Sequence, residues 1–242
     1  MSVLISKQMV VPSMDKLLSD YAVGESVFLN VNGTKTEFLV VNQGIPSNSN
    51  LYDASCNGTW LLMKDIYTNR AWDGDDNDYE NSSIRTYLNG TFFGLFDSAT
   101  QSVIKQVKIP YHKGLGNNGS VYSKSSGLST KIFLLSGYEV GWINEKSEHR
   151  NYLPIDGASV DYFKGCAATD SKRIAYYNGT ATTWWLRSPH LDDYGWVWDV
   201  LSSTGGSNYN YSNQSIGVRP ALVMPFETLF DGKTNEFIGE VA

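Results

Sequence analysis

Trp184-Trp185-Leu186-Arg187-Ser188-Pro189 and Gly217-Val218-Arg219-Pro220-Ala221-Leu222 are the two segments on which the fold turns. Both are apolar, proline-closed runs carrying one arginine, and they read as strands, Trp184 to Leu186 and Val218 to Met224. An arginine in such a run is read as structural. Arg187 and Arg219 are expected partly buried beside Trp185 and Pro220, each paired with a carboxylate and fixing a strand end, rather than offering forked donors to an anion. Trp184 and Trp185 belong to the same framework.

Between the two segments the vocabulary changes. His190 to Ser215 holds one His, three Asp, three Tyr, three Gly, five Ser and three Asn, with no Lys, Arg or Glu. Tyr and Trp supply large contact area for few rotatable bonds, and Ser, Gly and Asn supply adaptable hydrogen bonding, as in antibody paratopes. Turn chemistry accounts for the Gly, Asn and Ser taken singly, but not for Tyr194, Trp196, Trp198, Tyr209 and Tyr211 together. The expected ligand-binding residues are His190, Asp192, Asp193, Tyr194, Trp196, Trp198, Asp199, Ser207, Asn208, Tyr209, Asn210, Tyr211 and Asn213.

Composition narrows the class. A chain of 242 residues with 41% hydrophobic content can bury a substantial core. Charged residues, at 18%, fall below the roughly 25% usual for soluble domains, so the surface relies on uncharged polar groups. The net charge is −6 and no Lys/Arg run exists, which removes the basic stripe that a nucleic-acid partner requires. No apolar run approaches the roughly 18 residues of a membrane span, and Met1 to Lys7 lacks the form of a secretory signal, so no cleaved leader is expected. Cys56 and Cys166 are too few for a disulfide framework; one bridge and two buried free thiols both fit.

Residues 1–22 read as a leading arm, with Met14 to Tyr21 a candidate short helix, and residues 23–242 as one domain. Val27 to Val31, Asn32-Gly33 and Thr34 to Val41 read as a hairpin with a two-residue turn. Thr59 to Met63 reads as a strand. After Asn81-Ser82, Ile84, Tyr87, Leu88, Phe92, Leu95 and Phe96 keep helical spacing, with a break expected near Gly90 or Gly94. Ser98 with Gln101 predicts a helix through Val103, Ile104 and Val107, closed by Pro110. Ser136 with Glu139 predicts a second capped helix directly after the apolar strand Ile132 to Leu135. Gly114 to Gly127 reads as an exposed loop, and Trp196 to Leu201 as a strand. With no repeat and no long linker, the chain reads as one α+β domain with two or three helices.

Chemical motifs are mostly missing. Asp73 to Asp78 fails the calcium-loop template, because its sixth position is Asp78 and its twelfth Ile84, and it reads as a solvated acidic turn. His112, His149 and His190 stand in no metal-ligand spacing. Ser188, hemmed by Arg187 and Pro189, suits a rigid strand end rather than an exposed nucleophile. Gly114-Leu115-Gly116-Asn117-Asn118-Gly119 has dinucleotide-loop letters without the strand and helix that such a loop needs.

The pair of terminal motifs resembles an uncharacterised bacterial and phage domain family whose members end in them. Ser83 to Asn89 with Phe92 and Phe96, Lys131 to Ser136 with Glu139, and Arg173-Ile174-Ala175 look like that family's other landmarks, so the likeness spans about residues 23 to 226. The family is similar in layout to the C-type-lectin-like fold of sulfatase-modifying enzymes and of the variable proteins of diversity-generating retroelements. That resemblance implies short antiparallel sheets and a ligand face built from C-terminal strands and loops. It also implies diversification of that face, since randomising adenines in Asn codons yields mainly Asn, Asp, Tyr, Ser, His and Gly. Sulfatase-modifying enzymes act through C-terminal cysteines, and this chain has only Cys166 there, outside any matching motif. The Glu-Pro-Asn loop and Trp-Asn-Asp strand of calcium-dependent lectins are missing too, so neither cofactor nor metal is expected.

The resulting expectation is a non-enzymatic display protein on a virion or cell surface, taking a protein or glycan receptor as partner. A homo-oligomer, or docking to a virion component through residues 1–22, would complete the assembly. The rivals are an enzyme of the sulfatase-modifying type on the same fold and a virion structural module.

Overall fold

The computed structural model describes residues 15–47, 50–114, 120–142 and 151–240. Two five-stranded sheets organise them. Their strands are β1 (Ser26–Val31), β2 (Thr34–Gln43), β3 (Thr59–Met63), β4 (Thr68–Arg70), β5 (Ile132–Phe133), β6 (Trp184–Pro189), β7 (Trp196–Val200), β8 (Ser207–Tyr211), β9 (Ile216–Val218) and β10 (Ala221–Met224). The first sheet runs β5-β10-β3-β2-β1 and is antiparallel throughout. The second runs β8-β7-β6-β9-β4, antiparallel except where β6 meets β9 in parallel, Trp184 beside Gly217. Shorter strand pairs and two α-helices, α1 (Ser83–Tyr87) and α2 (Ser98–Val103), complete a single α+β domain of mostly short antiparallel sheets. No helix among the described residues is long and apolar enough to cross a membrane.

The predicted hairpin forms. Asn32 and Gly33 both adopt left-handed φ, 52° and 74°, so the turn matches the right-handed twist of β1 and β2. All six residues of β6 are buried, as the central strand of a sheet requires. The fully buried Leu186 there contributes about 1.5–3 kcal/mol by leaving water.

Val218 to Met224 is not one strand. β9 belongs to the second sheet and β10 to the first, and the chain crosses between them at Arg219-Pro220. β3 and β4 make the opposite crossing at the same place. Arg219 joins the two crossings: its Nε and Nη2 donate to the carbonyls of Met63 and Lys64, both at 2.9 Å, while the Met63 N–H donates to the Pro220 carbonyl. Gly217 is required at this joint, because a Cβ would collide with the Thr183 carbonyl and Ile66.

The helical run after Ser82 starts as read, with the Ser82 hydroxyl accepting from the Arg85 N–H. Rather than breaking, it widens into a π-type turn over Leu88–Phe92, around Gly90, then tightens over Phe93–Leu95. Asn89 uses that turn to clamp β5: its carbonyl oxygen accepts from the Lys131 and Ile132 N–H groups and its amide donates to the Ile132 carbonyl. The next helix is capped one residue early, by Asp97, whose carboxylate accepts from the Thr100 N–H. It ends at Val103, and Val107 lies in a strand pairing with Leu128–Thr130. Tertiary pairing overrode the capping letters there.

Ser136 and Glu139 make both reciprocal bonds of a capping box, yet a single turn follows in place of a helix. The Glu139 carboxylate accepts from Arg187 as well as from the Ser136 N–H. Within the arm, Lys16–Leu17 pairs with Thr228–Phe230, and Leu18–Asp20 is a single 3-10 turn in place of the expected helix. Val10 to Pro12, His149 and Leu115 to Gly119 lie outside the described residues. Of the Gly114 to Gly127 stretch, Val121–Tyr122 forms a strand against Tyr111–His112.

Candidate binding face

β7 and β8 alternate across one hairpin, so their side chains divide between two faces. Trp196 pairs with Tyr211 and Trp198 with Tyr209 on one face; Val197 pairs with Asn210 and Asp199 with Asn208 on the other. On the first face the rings interlock. Trp196 lies 4.5 Å from Tyr211 and 4.7 Å from Tyr209, His190 lies 4.6 Å from Tyr209, and His190 stacks on Trp198 at 5.5 Å. Such ring pairs contribute about 0.5–1.5 kcal/mol each beyond area burial.

This stack sorts the expected residues by depth. Tyr194 and Tyr211 stand 60% and 52% exposed at the top. Asp192, Asp193 and Asn213 are exposed beside them, and Trp196, Ser207, Asn208, Tyr209 and Asn210 are half-buried. Trp198, Asp199 and His190, also expected among the ligand-binding residues, are buried. Trp198 and His190 form the floor on which Tyr209 rests. Asp199 lies on the opposite face, and alternation put it there.

Asp199 is held by amides alone: Asn210 donates to it at 2.7 Å and Asn208 at 3.0 and 3.2 Å. Burial raises its carboxyl to about 6, against the lowering effect of those two amides. Asn208 and Asn210 are therefore committed inward, while their neighbours Tyr209 and Tyr211 point to the ring face.

The loop from His190 to Trp196 is anchored by a residue that sequence reading passed over. Asn77, inside the acidic run, is buried, and its amide lies 3.1, 2.7 and 3.0 Å from the carbonyls of His190, Asp193 and Trp196. The run is thus a solvated turn with one inward clamp, and no group of three or more His, Cys, Asp or Glu among the described residues could hold a metal. Tyr152 was also passed over: its ring lies 5.0 Å from His190, it is 38% exposed, and its carbonyl accepts from Leu191 N–H and Trp198 Nε1. Nothing local marks Tyr152, since its partners stand some forty residues away.

Beneath the face lies the framework. Arg187 is fully buried, not partly, and is paired with Glu139 through both Nη atoms. Its remaining donors reach the carbonyls of Pro110, Leu134 and Asp156. Burial pulls the guanidinium's pKa down, but Glu139 overrides that and raises it. Ser188 donates to the Asp156 carboxylate at 2.9 Å and is inaccessible as a nucleophile. Burial lifts Asp156 to about 7 despite Arg187 and Ser188. Arg219 departs from expectation: it meets backbone carbonyls and the Trp184 ring, 4.9 Å away, rather than a carboxylate. Trp184 and Trp185 are buried, donating from Nε1 to the carbonyls of Arg173 and Arg70. Both cysteines are free thiols. Burial raises Cys56 to about 12, and burial with an Asp170 hydrogen bond raises Cys166, so neither favours the nucleophilic thiolate.

The model of a family described as a domain of unknown function (DUF6273) matches residues 57–226, which takes in both terminal motifs. The chain belongs to the DUF6273 family. The DUF6273 match begins just before β3 and ends just after β10, so the β1–β2 hairpin precedes it while the whole aromatic face falls inside it. No curated protein and no solved structure matches the chain.

Proposed function

We propose that this DUF6273 chain is a non-enzymatic binding and display protein. It recognises a protein or glycan receptor through the ring face of β7 and β8 and the loop before them. The observation that carries the reading is Tyr211, 52% exposed on a ring stack whose lower members are buried, with Tyr194, 60% exposed, in the loop beside it. Rings already ordered before binding lose little rotamer freedom when a partner covers them. Aromatic side chains of this kind concentrate binding energy in interfaces.

The proposal extends to architecture and origin. The scaffold is C-type-lectin-like, and His190 to Ser215 is a segment diversified by a retroelement in a phage or bacterial surface protein. Tyr194→Ala with Tyr211→Ala tests the face: receptor capture by the folded double variant should fall at least about tenfold, and undiminished capture would remove the assignment. Sequencing the surrounding genome tests the origin. A reverse transcriptase and a near-copy of the coding segment for residues 184–222, differing only at adenines, is the expected result; their absence would leave diversification without support.

A further inference from the structure

The ring face adjoins two acidic segments that lie far apart in the chain. The Ser212 carbonyl, next to the exposed Tyr211, accepts from the Trp72 and Asp73 N–H groups at 2.8 and 3.1 Å, and the Ser212 N–H donates to the Gly195 carbonyl at 2.7 Å. Gly195 is where the segments meet. A Cβ built on it would lie 3.5 Å from Tyr211 Cδ1, 3.8 Å from the Asp75 carbonyl oxygen and 3.9 Å from Asp193 Oδ1. With the Asn77 clamp, these contacts hold the turn after Trp72 against the loop before β7.

Four aspartates are exposed there, Asp75 and Asp76 in the turn and Asp192 and Asp193 in the loop. Among the described residues none of them forms an ion pair, since the acid in each described pair is a glutamate. His190 to Ser215 supplies no Lys or Arg to offset them. Like charges held together without a counter-charge repel, and the net charge of −6 adds to a field that draws cations.

We propose that the receptor is a protein and that the segment docking on the ring face is basic, with an Arg or Lys side chain laid over Tyr211 and paired with the carboxylates beside it. This rests on the ring face being the recognition surface. A tyrosine ring attracts a cation through the negative charge of its face, and the planar fork of arginine stacks on such a ring while its N–H groups reach a carboxylate. Tyr211 and Asp193 both adjoin Gly195, which puts a ring and a carboxylate within the span of one such side chain. A glycan fits less well. A neutral sugar leaves the four carboxylates without counter-charge, and a sialylated one is repelled. The amides of Asn208 and Asn210, which sugar hydroxyls would use, are turned inward to Asp199.

The full chain is used to select from immobilised random-sequence dodecapeptides and, separately, from an array of neutral and sialylated oligosaccharides. Three variants are compared with it. Tyr194→Ala with Tyr211→Ala removes the rings. Asp75→Asn with Asp192→Asn and Asp193→Asn removes charge, while Asn at 193 still accepts from the Gly195 N–H. Asp65→Asn with Asp161→Asn and Glu227→Gln removes as much charge from exposed acids in other elements. Retained peptides should be rich in Arg and Lys. The Asp75, Asp192 and Asp193 variant should hold them about tenfold more weakly at low salt, the charge control should match the parent, and added salt should narrow the difference. Retained peptides without basic residues, an equal loss in the charge control, no loss in the Asp75, Asp192 and Asp193 variant, retention of oligosaccharides alone, or no retention at all would each overturn the basic partner. The ring reading survives those results wherever the tyrosine variant loses the ligand. Undiminished retention by the tyrosine variant would instead remove the ring face, and this inference with it.

Discussion

Arg187 Nη2 lies 2.7 Å from Glu139 Oε1, with both side chains wholly removed from solvent. The pair ties the central strand β6 to the turn after β5. Removing one partner leaves the other charge buried and unmatched. Glu139→Gln should therefore cost about 3–5 kcal/mol, read from denaturant unfolding midpoints. The double change Glu139→Leu with Arg187→Met should cost much less than the two single losses added. Equal and additive losses would mean that the pair is not coupled.

Asn77 holds three carbonyls of the loop that carries Tyr194. Asn77→Ala leaves those carbonyls short of donors, at about 1–3 kcal/mol for the set. Amide hydrogen exchange should quicken at residues 191 to 196 while β3 and β10 keep their protection. Unchanged exchange in the loop would show that the clamp does not order it.

Asp199 makes stability depend on pH in an unusual direction. Its folded carboxyl, raised to about 6 by burial, binds its proton more tightly than in the unfolded chain, where about 3.9 is expected. The stabilisation linked to that proton is complete below about pH 4 and is lost as pH rises through about 6, on the order of 2–3 kcal/mol. Comparing melting temperatures of the parent and Asp199→Asn across pH 4 to 7 isolates this group from carboxylates of opposite sign such as Glu37 and Glu80. The parent should lose ground to the variant as pH rises; parallel curves would discount the shift.

Gly205 turns the chain between β7 and β8 at φ 64°, and its carbonyl accepts from Arg173. A Cβ at that position would collide with the Asp170 carbonyl. Gly205→Ala should therefore destabilise by more than about 1 kcal/mol, from left-handed strain and the clash together. A melting temperature equal to the parent's would contradict the hairpin geometry.

Much of the local structure was legible. Asn32-Gly33 specified its hairpin because both residues tolerate positive φ, and Ser82 marked a helix start because its hydroxyl replaces a missing acceptor. The structural reading of Arg187 followed from an arginine set in an apolar strand, which can stay charged only beside a partner. Capping letters misled at Ser136 and Ser98. The Ser136–Glu139 box formed but closes only a single turn, with the same carboxylate holding Arg187, and Asp97 rather than Ser98 caps the next helix.

Sequence by itself determined the class of the domain, the framework strand that begins at Trp184 and the unusual chemistry of the segment after it, because composition and local spacing are properties of neighbours along the chain. Only the tertiary structure decided which of those aromatics face solvent. A strand alternates its faces, so Trp198 and Asp199 are adjacent in the chain yet buried on opposite sides, and which side is covered depends on where Tyr152, Asn77 and β6 are packed.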